Sequence, residues 1–194
     1  MTKRFVLTVA VMSLGALMSS AIASQQSVDS SSPRFGADNE LMRPENYREW
    51  IYLSSGLGMS YGSSATNNPN PSFDNVFVTP SAYRSFLQTG KWPDKTMFVL
   101  EVRGSASEGS INRGGRFQGQ TVGMEVEVKD ESRFPGKWAF YDFGRGSASA
   151  KPLPATASCY SCHAQNGAVD NTFVQFYPTL ADVARQKGTF KSTP

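Results

Sequence analysis

Two cysteines and a histidine form the group of residues in this sequence whose types and spacing suggest a specific chemistry. Cys159 and Cys162 are the only cysteines of the 194 residues, and His163, which follows directly, is the only histidine. The order C-x-x-C-H is the pattern of covalent haem attachment. Two thiols at this spacing can reach the two vinyl groups of a porphyrin, and the adjacent imidazole then lies under the iron. We therefore predict one covalently bound haem c per chain, with His163 as the axial ligand of its iron.

Two other kinds of site share part of this pattern and stay open as minor alternatives. A structural zinc site is held by about four ligands, whereas the sequence offers two Cys and one His. A thioredoxin-like dithiol follows a strand and opens a helix in a βαβ unit. Here the motif follows residues 144–157, which are rich in Gly, Ser, Ala and Pro. This context favours haem.

The sixth coordination position of the iron decides between electron transfer and ligand binding. A second strong ligand makes an electron carrier, whereas an open position lets small molecules bind. Because there is one histidine, bis-histidine ligation is excluded. A methionine ligand remains an alternative, although each candidate is equally explained as a core or loop residue. The candidates are Met42, Met59, Met97 and Met124.

The N-terminus has the features of a secretory signal peptide. Lys3 and Arg4 precede an apolar run over residues 5–18, and a small-residue A-x-A site ends at Ala23. The run has about 14 residues, fewer than the roughly 20 that span a bilayer, so cleavage near Ala23 would leave no membrane segment. We therefore expect a periplasmic protein, which agrees with covalent haem attachment.

The charge distribution gives no indication of a nucleic-acid partner. The formal net charge is +3, and removing the two positive charges of the signal peptide leaves +1. No run or stripe of basic residues remains that could follow a phosphate backbone. We expect neither a nucleic acid nor another polyanion as a partner.

Apolar strands dominate the middle of the chain. Residues 97–102 are apolar almost throughout, and Phe98, Leu100 and Val102 share one face of the predicted strand. Over residues 122–128, apolar and acidic side chains alternate. The pattern predicts an antiparallel sheet with one buried face. We expect the polar strand residues to face solvent, namely Glu101, Arg103, Glu125 and Glu127.

The clearest helix is predicted over residues 80–89, with Thr79 as its N-cap and Gly90 as its stop. A second helical pattern covers residues 173–187 and is interrupted near Pro178. The fold class is therefore α+β, a single domain dominated by an antiparallel sheet, with a few helices packed against it and a C-terminal haem c motif. We divide the chain into a signal peptide (1–23), a flexible N-terminal tail (24–40) and a haem domain (41–190).

The motif and its surroundings resemble the cytochrome P-460 family, which includes the cytochromes c′-beta. The similar segments, in order, are residues 44–50 (PENYREW), 76–78 (VFV) with Pro80, Tyr83, Thr89 and Gly90, then 128–130 (VKD), 133–134 (RF), 138–141 (WAFY), 153–154 (LP), 159–163 (CYSCH) and 176–178 (FYP). Each segment is weakly specific alone, but the order and spacing are jointly specific. The resemblance implies haem seated against the sheet, five-coordinate iron with an open distal side, and a homodimer.

One position departs from part of that family. Members that oxidise hydroxylamine carry a lysine bonded covalently to the porphyrin edge, and Leu100 stands at that place here. Leu100 makes the distal side more apolar, particularly if Phe98 projects onto the same face. An apolar distal pocket suits NO or CO, whereas proton-coupled oxidation needs a positioned acid or base.

The sequence therefore predicts a haem protein that binds nitric oxide or a similar small diatomic ligand, with Phe98 and Leu100 beside the haem. A hydroxylamine- or NO-oxidising oxidoreductase, working with a redox partner protein, is the first alternative. An electron-transfer cytochrome with a methionine sixth ligand is the second. No catalytic residue is identified.

Overall fold

The computed structural model describes residues 31–61 and 69–191. The predicted signal peptide (1–23) and residues 24–30 of the predicted tail lie outside these residues. Within the described part of the chain, no helix combines the length and the apolar character needed to cross a membrane.

A five-stranded antiparallel sheet forms the centre of the domain. Its strands are β2 (Ile51–Leu57), β3 (Phe73–Val78), β4 (Met97–Ala106), β5 (Phe117–Lys129) and β6 (Trp138–Asp142). Two further short strands are β1 (Leu41–Met42) and β7 (Ser149–Ala150). The large sheet has the order β2-β3-β4-β5-β6, so neighbours in sequence are neighbours in space, and β1 pairs with β7 in a separate two-stranded sheet. The α+β class and the antiparallel sheet are thereby confirmed.

In the part of the chain that the structure describes, three α-helices accompany the sheet. They are α1 (Pro80–Thr89), α2 (Ser158–Asn166) and α3 (Pro178–Gln186), and short 3-10 helices cover Ala37–Asn39, Tyr47–Glu49 and Val174–Phe176. The predicted bounds of α1 are confirmed, and Gly90 ends it with a φ of 69°. Thr79 occupies the predicted N-cap position, but its hydroxyl makes no capping hydrogen bond and is buried without a hydrogen-bond partner.

Both faces of the sheet are covered, so the prediction of a single buried face is wrong. The face that carries Phe98 and Phe140 packs against α1 and α3, and we call it the helix face. The opposite face carries Val99 and Val126, and we call it the far face. Irregular segments around Tyr47 and residues 143–150 cover the far face. Because these segments have no regular apolar period, the sequence did not indicate that they form a layer.

The polar strand residues lie differently from the prediction that they face solvent. Glu101 is 1% exposed on the far face, and its carboxylate accepts hydrogen bonds from Tyr47 and Arg103. The Glu127 side chain is 18% exposed and lies on the helix face. Glu125 is exposed, as expected, but belongs to the helix face as well. Alternation correctly separated the two faces but could not show that both are covered.

Part of the predicted flexible tail packs against the domain. The Phe35 ring contacts the Phe134 ring edge-on, with centroids 6.1 Å apart. The Asn39 carbonyl accepts a hydrogen bond from the Tyr141 hydroxyl at 3.1 Å. The structure therefore differs from the prediction at these residues, because one aromatic side chain and a backbone carbonyl dock onto the far face.

Candidate haem-binding site

Helix α2 places the three motif residues on one side. Cys159 precedes Cys162 by three positions and His163 by four, so their side chains point in similar directions. Neither cysteine is in a disulfide, and both are half-buried. The helix is held to the domain by Tyr160, whose hydroxyl donates to the Leu153 carbonyl at 3.1 Å. The motif is thus presented on a short, anchored helix.

One ring nitrogen of His163 is already in use. Its Nδ1 lies 2.9 Å from the Asn171 carbonyl oxygen, to which it donates a hydrogen bond. Burial lowers the pKa of His163, although the Asn171 carbonyl acts in the opposite direction. When the ring is neutral, an Nδ1–H that donates to the Asn171 carbonyl leaves Nε2 unprotonated, which is the form that ligates a metal.

Two phenylalanines fix the plane of the imidazole. The His163 ring centroid lies 4.6 Å from that of Phe140 and 4.4 Å from that of Phe173. The His163 side chain is 15% exposed. Contacts on two sides restrict rotation of the ring, so the direction of Nε2 is set by packing as well as by the Asn171 carbonyl.

Glu127 places a carboxylate next to this histidine. Its Oε2 atom lies 3.5 Å from Nδ1 of His163 and is buried without a hydrogen-bond partner. Burial, together with the neighbouring Glu125 carboxylate, raises the pKa of Glu127 to about 8.

The helix face continues past Glu127 as a less covered surface. Leu100 pairs with Val76 on one side and Glu125 on the other, one step along the sheet from Glu127. Leu100 and Val76 are half-buried and Glu125 is exposed. Phe98, in contrast, is 1% exposed. It packs with Trp92, Trp138 and Tyr177 in the closed core, so of the two predicted pocket residues Leu100 has the more open position.

Comparison with known protein families agrees with this site. A family model described as Cytochrome P460 matches residues 44–174, which is more than half of the chain. The chain belongs to the cytochrome P460 family. No curated protein matches it. As a cytochrome, the protein uses haem as its cofactor, and the match includes Leu100, Glu127 and the complete C-x-x-C-H motif.

The residues of this cytochrome fit a haem group. A neutral imidazole with a free Nε2 could ligate the iron, and two thiols on the same side of α2 could attach the porphyrin. The half-buried apolar surface around Leu100 could cover part of the macrocycle. Bound haem would supply a redox-active iron that takes small ligands. The protein's own part is to hold His163 in one orientation and one tautomer.

The four methionine candidates are separated by the sheet. Met97 and Met124 are buried in the far-face core, away from His163. Met42 is exposed in β1. Met59 lies over Gly56, where an added Cβ would overlap its thioether. Its sulfur is 3.8 Å from the Tyr61 hydroxyl, and the Tyr61 ring stacks on Phe173, beside His163. Of the four candidates, Met59 is therefore the one that a chain of contacts through Tyr61 and Phe173 links to this cytochrome's histidine.

Several site residues were missed by sequence analysis. Asn171 acts through its backbone carbonyl, which no side-chain pattern reveals. Phe140 lies in one of the segments similar to the family but had no predicted role at the haem, and Phe173 begins the predicted C-terminal helical pattern. Glu127 was predicted to face solvent, and this is wrong. The alternation along β5 did correctly place Glu127 on the other face of the sheet from Val126 and Val128.

Proposed function

We propose that the protein is an exported c-type cytochrome with a five-coordinate, His163-ligated iron that binds nitric oxide or a similar small diatomic ligand. The observation that carries the proposal is the geometry of His163, whose ring packs between Phe140 and Phe173 with Nδ1 occupied by the Asn171 carbonyl. One strong protein ligand, pre-oriented on one side, leaves the opposite side of the iron available.

The surface around Leu100 supports the choice of ligand. Leu100 and Val76 present aliphatic groups, and neither can donate a proton or a hydrogen bond, while Glu125, the cross-strand neighbour of Leu100, is exposed to solvent. NO and CO bind ferrous haem without such a donor. An oxidation that releases protons needs a positioned acid or base instead, and the place of the cross-linking lysine in hydroxylamine-oxidising relatives is taken by Leu100.

Optical absorption of the purified holoprotein tests this proposal. We expect a high-spin, five-coordinate ferrous spectrum and a distinct spectrum after NO is added. A six-coordinate, low-spin ferrous spectrum before any ligand is added would overturn the proposal.

Covalent attachment is tested by mass spectrometry of the denatured protein. We expect the mature chain plus one haem, bound by two thioethers through Cys159 and Cys162. Cys159→Ala and Cys162→Ala should each retain at most one thioether, and the double variant should lose its haem on denaturation. If the double variant keeps covalent haem, another residue attaches it.

Export and assembly are part of the proposal. Mass spectrometry of the protein from the periplasmic fraction should give Ser24 as the first residue, and light scattering should give the mass of a homodimer. A chain that still begins at Met1 would contradict export with cleavage. A monomer over the whole working concentration range would contradict the homodimer.

The placement of Met59 favours a second candidate function, an electron-transfer cytochrome with methionine as the sixth ligand. Its signature is the near-infrared charge-transfer band of His/Met ligation in the ferric protein. Met59→Leu should then abolish the band. Met42→Leu, the same substitution at an exposed methionine, should leave the band intact. If the wild-type protein has no such band, this candidate is excluded.

The oxidoreductase alternative has a simple test as well. Hydroxylamine is added to the ferric holoprotein with an external electron acceptor, and acceptor reduction is recorded. We expect none, because no cross-linking lysine stands at the Leu100 position. Steady acceptor reduction, lost in an unfolded control, would favour the oxidoreductase over the ligand-binding protein.

A further inference from the structure

Lys129 is a buried cation at the end of β5. Its side chain is 7% exposed, and lysine is rarely buried to this extent unless it is paired. Its Nζ donates to the Trp92 carbonyl at 2.8 Å and lies 2.5 Å from Oδ2 of Asp170. It also lies 3.4 Å from Oε1 of Glu131. Lys129 therefore ties the sheet to the segment that follows α2.

That segment contains a tight turn with an unusual backbone. Asp170 and Asn171 both have left-handed φ values, 51° and 65°. Non-glycine residues in this region cost free energy and persist only where the surroundings hold them. Thr172, at the end of the turn, is fully buried and accepts a hydrogen bond from Nε1 of Trp92 at 2.8 Å. The turn is thus fixed at Asp170 by Lys129 and at Thr172 by Trp92.

The turn has one contact with the haem ligand. Between its two fixed residues lies Asn171, whose carbonyl accepts the hydrogen bond from Nδ1 of His163 at 2.9 Å. Hydrogen bonds of this kind orient a ligating imidazole and raise its basicity. We propose that Lys129 is a positioning residue for the axial ligand: through Asp170 it holds the Asn171 carbonyl on His163 and so strengthens electron donation from the imidazole to the iron. This inference rests on the proposed axial role of His163.

An ion pair at the surface would not hold the Asn171 carbonyl in place. Exposed pairs contribute about 0–1 kcal/mol and hold geometry weakly. The Asp170 side chain is 32% exposed, but the Lys129 side chain is only 7% exposed. Lys129 also donates a hydrogen bond to the Trp92 backbone carbonyl in the core. Without the positive charge, the Asp170 side chain would turn to solvent, and the strained turn would lose its hold on the Asn171 carbonyl.

The test uses the holoprotein and the variant Lys129→Met, which keeps the apolar stem and removes the charge. A weaker Nδ1 hydrogen bond makes the imidazole a poorer donor and destabilises ferric iron. We expect a lower Fe–His stretching frequency in resonance Raman spectra of the ferrous form. We also expect about a tenfold shift toward ferrous iron, or about 59 mV for one electron.

Matched variants separate positioning from general loss of packing. Lys129→Arg keeps a cation opposite Asp170 and should stay close to wild type. Asp170→Asn keeps Lys129 and its Trp92 contact, and should move both readouts in the same direction as Lys129→Met. Lys137→Met removes a lysine with a 59% exposed side chain that also pairs with Glu131, and should change neither readout.

The outcomes distinguish this inference from the proposed function. If the wild-type ferrous protein shows no Fe–His stretching band, His163 is not the axial ligand of a five-coordinate iron, and the proposed function fails. If the band is present but is unchanged in both Lys129→Met and Asp170→Asn, the positioning role of Lys129 is overturned. Should Lys129→Met not fold, Asp170→Asn alone decides.

Discussion

At the scale of single residues, Glu101 is the clearest case of a charge that stabilises the fold away from the haem. It is buried on the far face and accepts hydrogen bonds from Tyr47 at 2.8 Å and Arg103 at 3.1 Å, with a further ion pair to Arg48. Burial alone would raise the pKa of Glu101, but the Tyr47 hydrogen bond and the two guanidinium groups outweigh it and lower the pKa.

Glu101→Gln should therefore destabilise the protein at neutral pH by about 2 kcal/mol, the range for losing a buried, charge-assisted hydrogen bond. A carboxyl with a lowered folded pKa stabilises above its ordinary value of 4.5 and loses that contribution as the pH falls through the folded pKa. The stability gap between wild type and variant should be complete at pH 7 and close below pH 4.5. Urea unfolding at several pH values measures it.

The control for this prediction is Glu49→Gln, at an exposed position near Arg48 in sequence. It should change the free energy of unfolding by less than about 0.5 kcal/mol. Because Glu101 lies on the far face, the absorption spectrum of the haem should be the same in both variants. If the difference in the free energy of unfolding between wild type and Glu101→Gln is independent of pH, Glu101 acts through packing and not through its charge.

Also at the residue scale, the sequence was informative where chemistry depends on side-chain type. Cys159, Cys162 and His163 are predicted as haem residues directly, because their order is rare and their spacing has a mechanical reason. The partner of His163 could not be found in that way, since the Asn171 carbonyl belongs to the backbone. Its position depends on Lys129, which is distant in sequence, and on the conformation of a turn.

At the scale of elements, the end of α2 leaves no room for a side chain at Gly167. An added Cβ would lie 2.6 Å from the His163 carbonyl oxygen and 2.6 Å from the Asn171 carbonyl carbon. Its φ of −69° is accessible to any residue, so the obstacle is steric. The close approach brings the turn back to the helix, which allows the Asn171 carbonyl to meet His163.

Gly167→Ala should therefore destabilise the protein by about 1–3 kcal/mol, as overpacking does in closed sites. It should also shift the Fe–His stretching band, because the turn must move away from His163. Thermal unfolding and Raman spectra of the holoprotein provide the two readouts. Gly136→Ala is the matched control, since nothing lies within 4 Å of an added Cβ there. Equal effects of both substitutions would contradict the steric explanation.

Helix α3 gives a second prediction at this scale. Leu180 is fully buried in the helix-face core, whereas Leu87 on α1 is 40% exposed. Leu180→Ala should cost about 2–5 kcal/mol through lost transfer free energy and a cavity, and Leu87→Ala less than about 1 kcal/mol. Urea unfolding compares the two. Similar costs would mean that α3 does not dock as described.

The elements also show where pattern analysis stops. The bounds of α1 followed from Thr79, Pro80 and Gly90, because proline and glycine have fixed conformational preferences. Its buried side does not follow from the apolar pattern in the same way: Phe86 and Ala82 are buried, whereas Leu87 is exposed. Spacing gives a stripe of apolar residues, and only tertiary contacts decide which edge of that stripe is covered.

At the scale of the whole molecule, the two cores are completed differently. The far-face core is closed by protein segments, including Trp50. The helix-face core contains Trp92 and Trp138 and closes around Phe98, but the sheet beyond it carries the half-buried Val76 and Leu100. Haem bound through α2 would cover this part of the helix face and so act as part of the core.

Removing the haem should therefore weaken the helix-face side of the molecule more than the far face. The double variant Cys159→Ala/Cys162→Ala, prepared without haem, should unfold at lower urea concentration than the holoprotein. Each 100 Å² of apolar protein surface left uncovered costs about 2.5 kcal/mol at about 25 cal/mol per Å². Its m-value should also fall, because less surface remains to be exposed on unfolding.

Tryptophan fluorescence can locate the loss, because the chain has three tryptophans that divide between the two cores. In the haem-free variant, the signal of Trp92 and Trp138 should change at lower urea than that of Trp50, measured in single-tryptophan versions with phenylalanine at the other two positions. Hydrogen exchange on α3, which packs on the helix face, and on the β1–β7 pair, which packs on the far face, gives the same comparison without substitutions. Coincident transitions at the stability of the holoprotein would show that the helix face closes without haem, and that the surface around Leu100 does not depend on the cofactor.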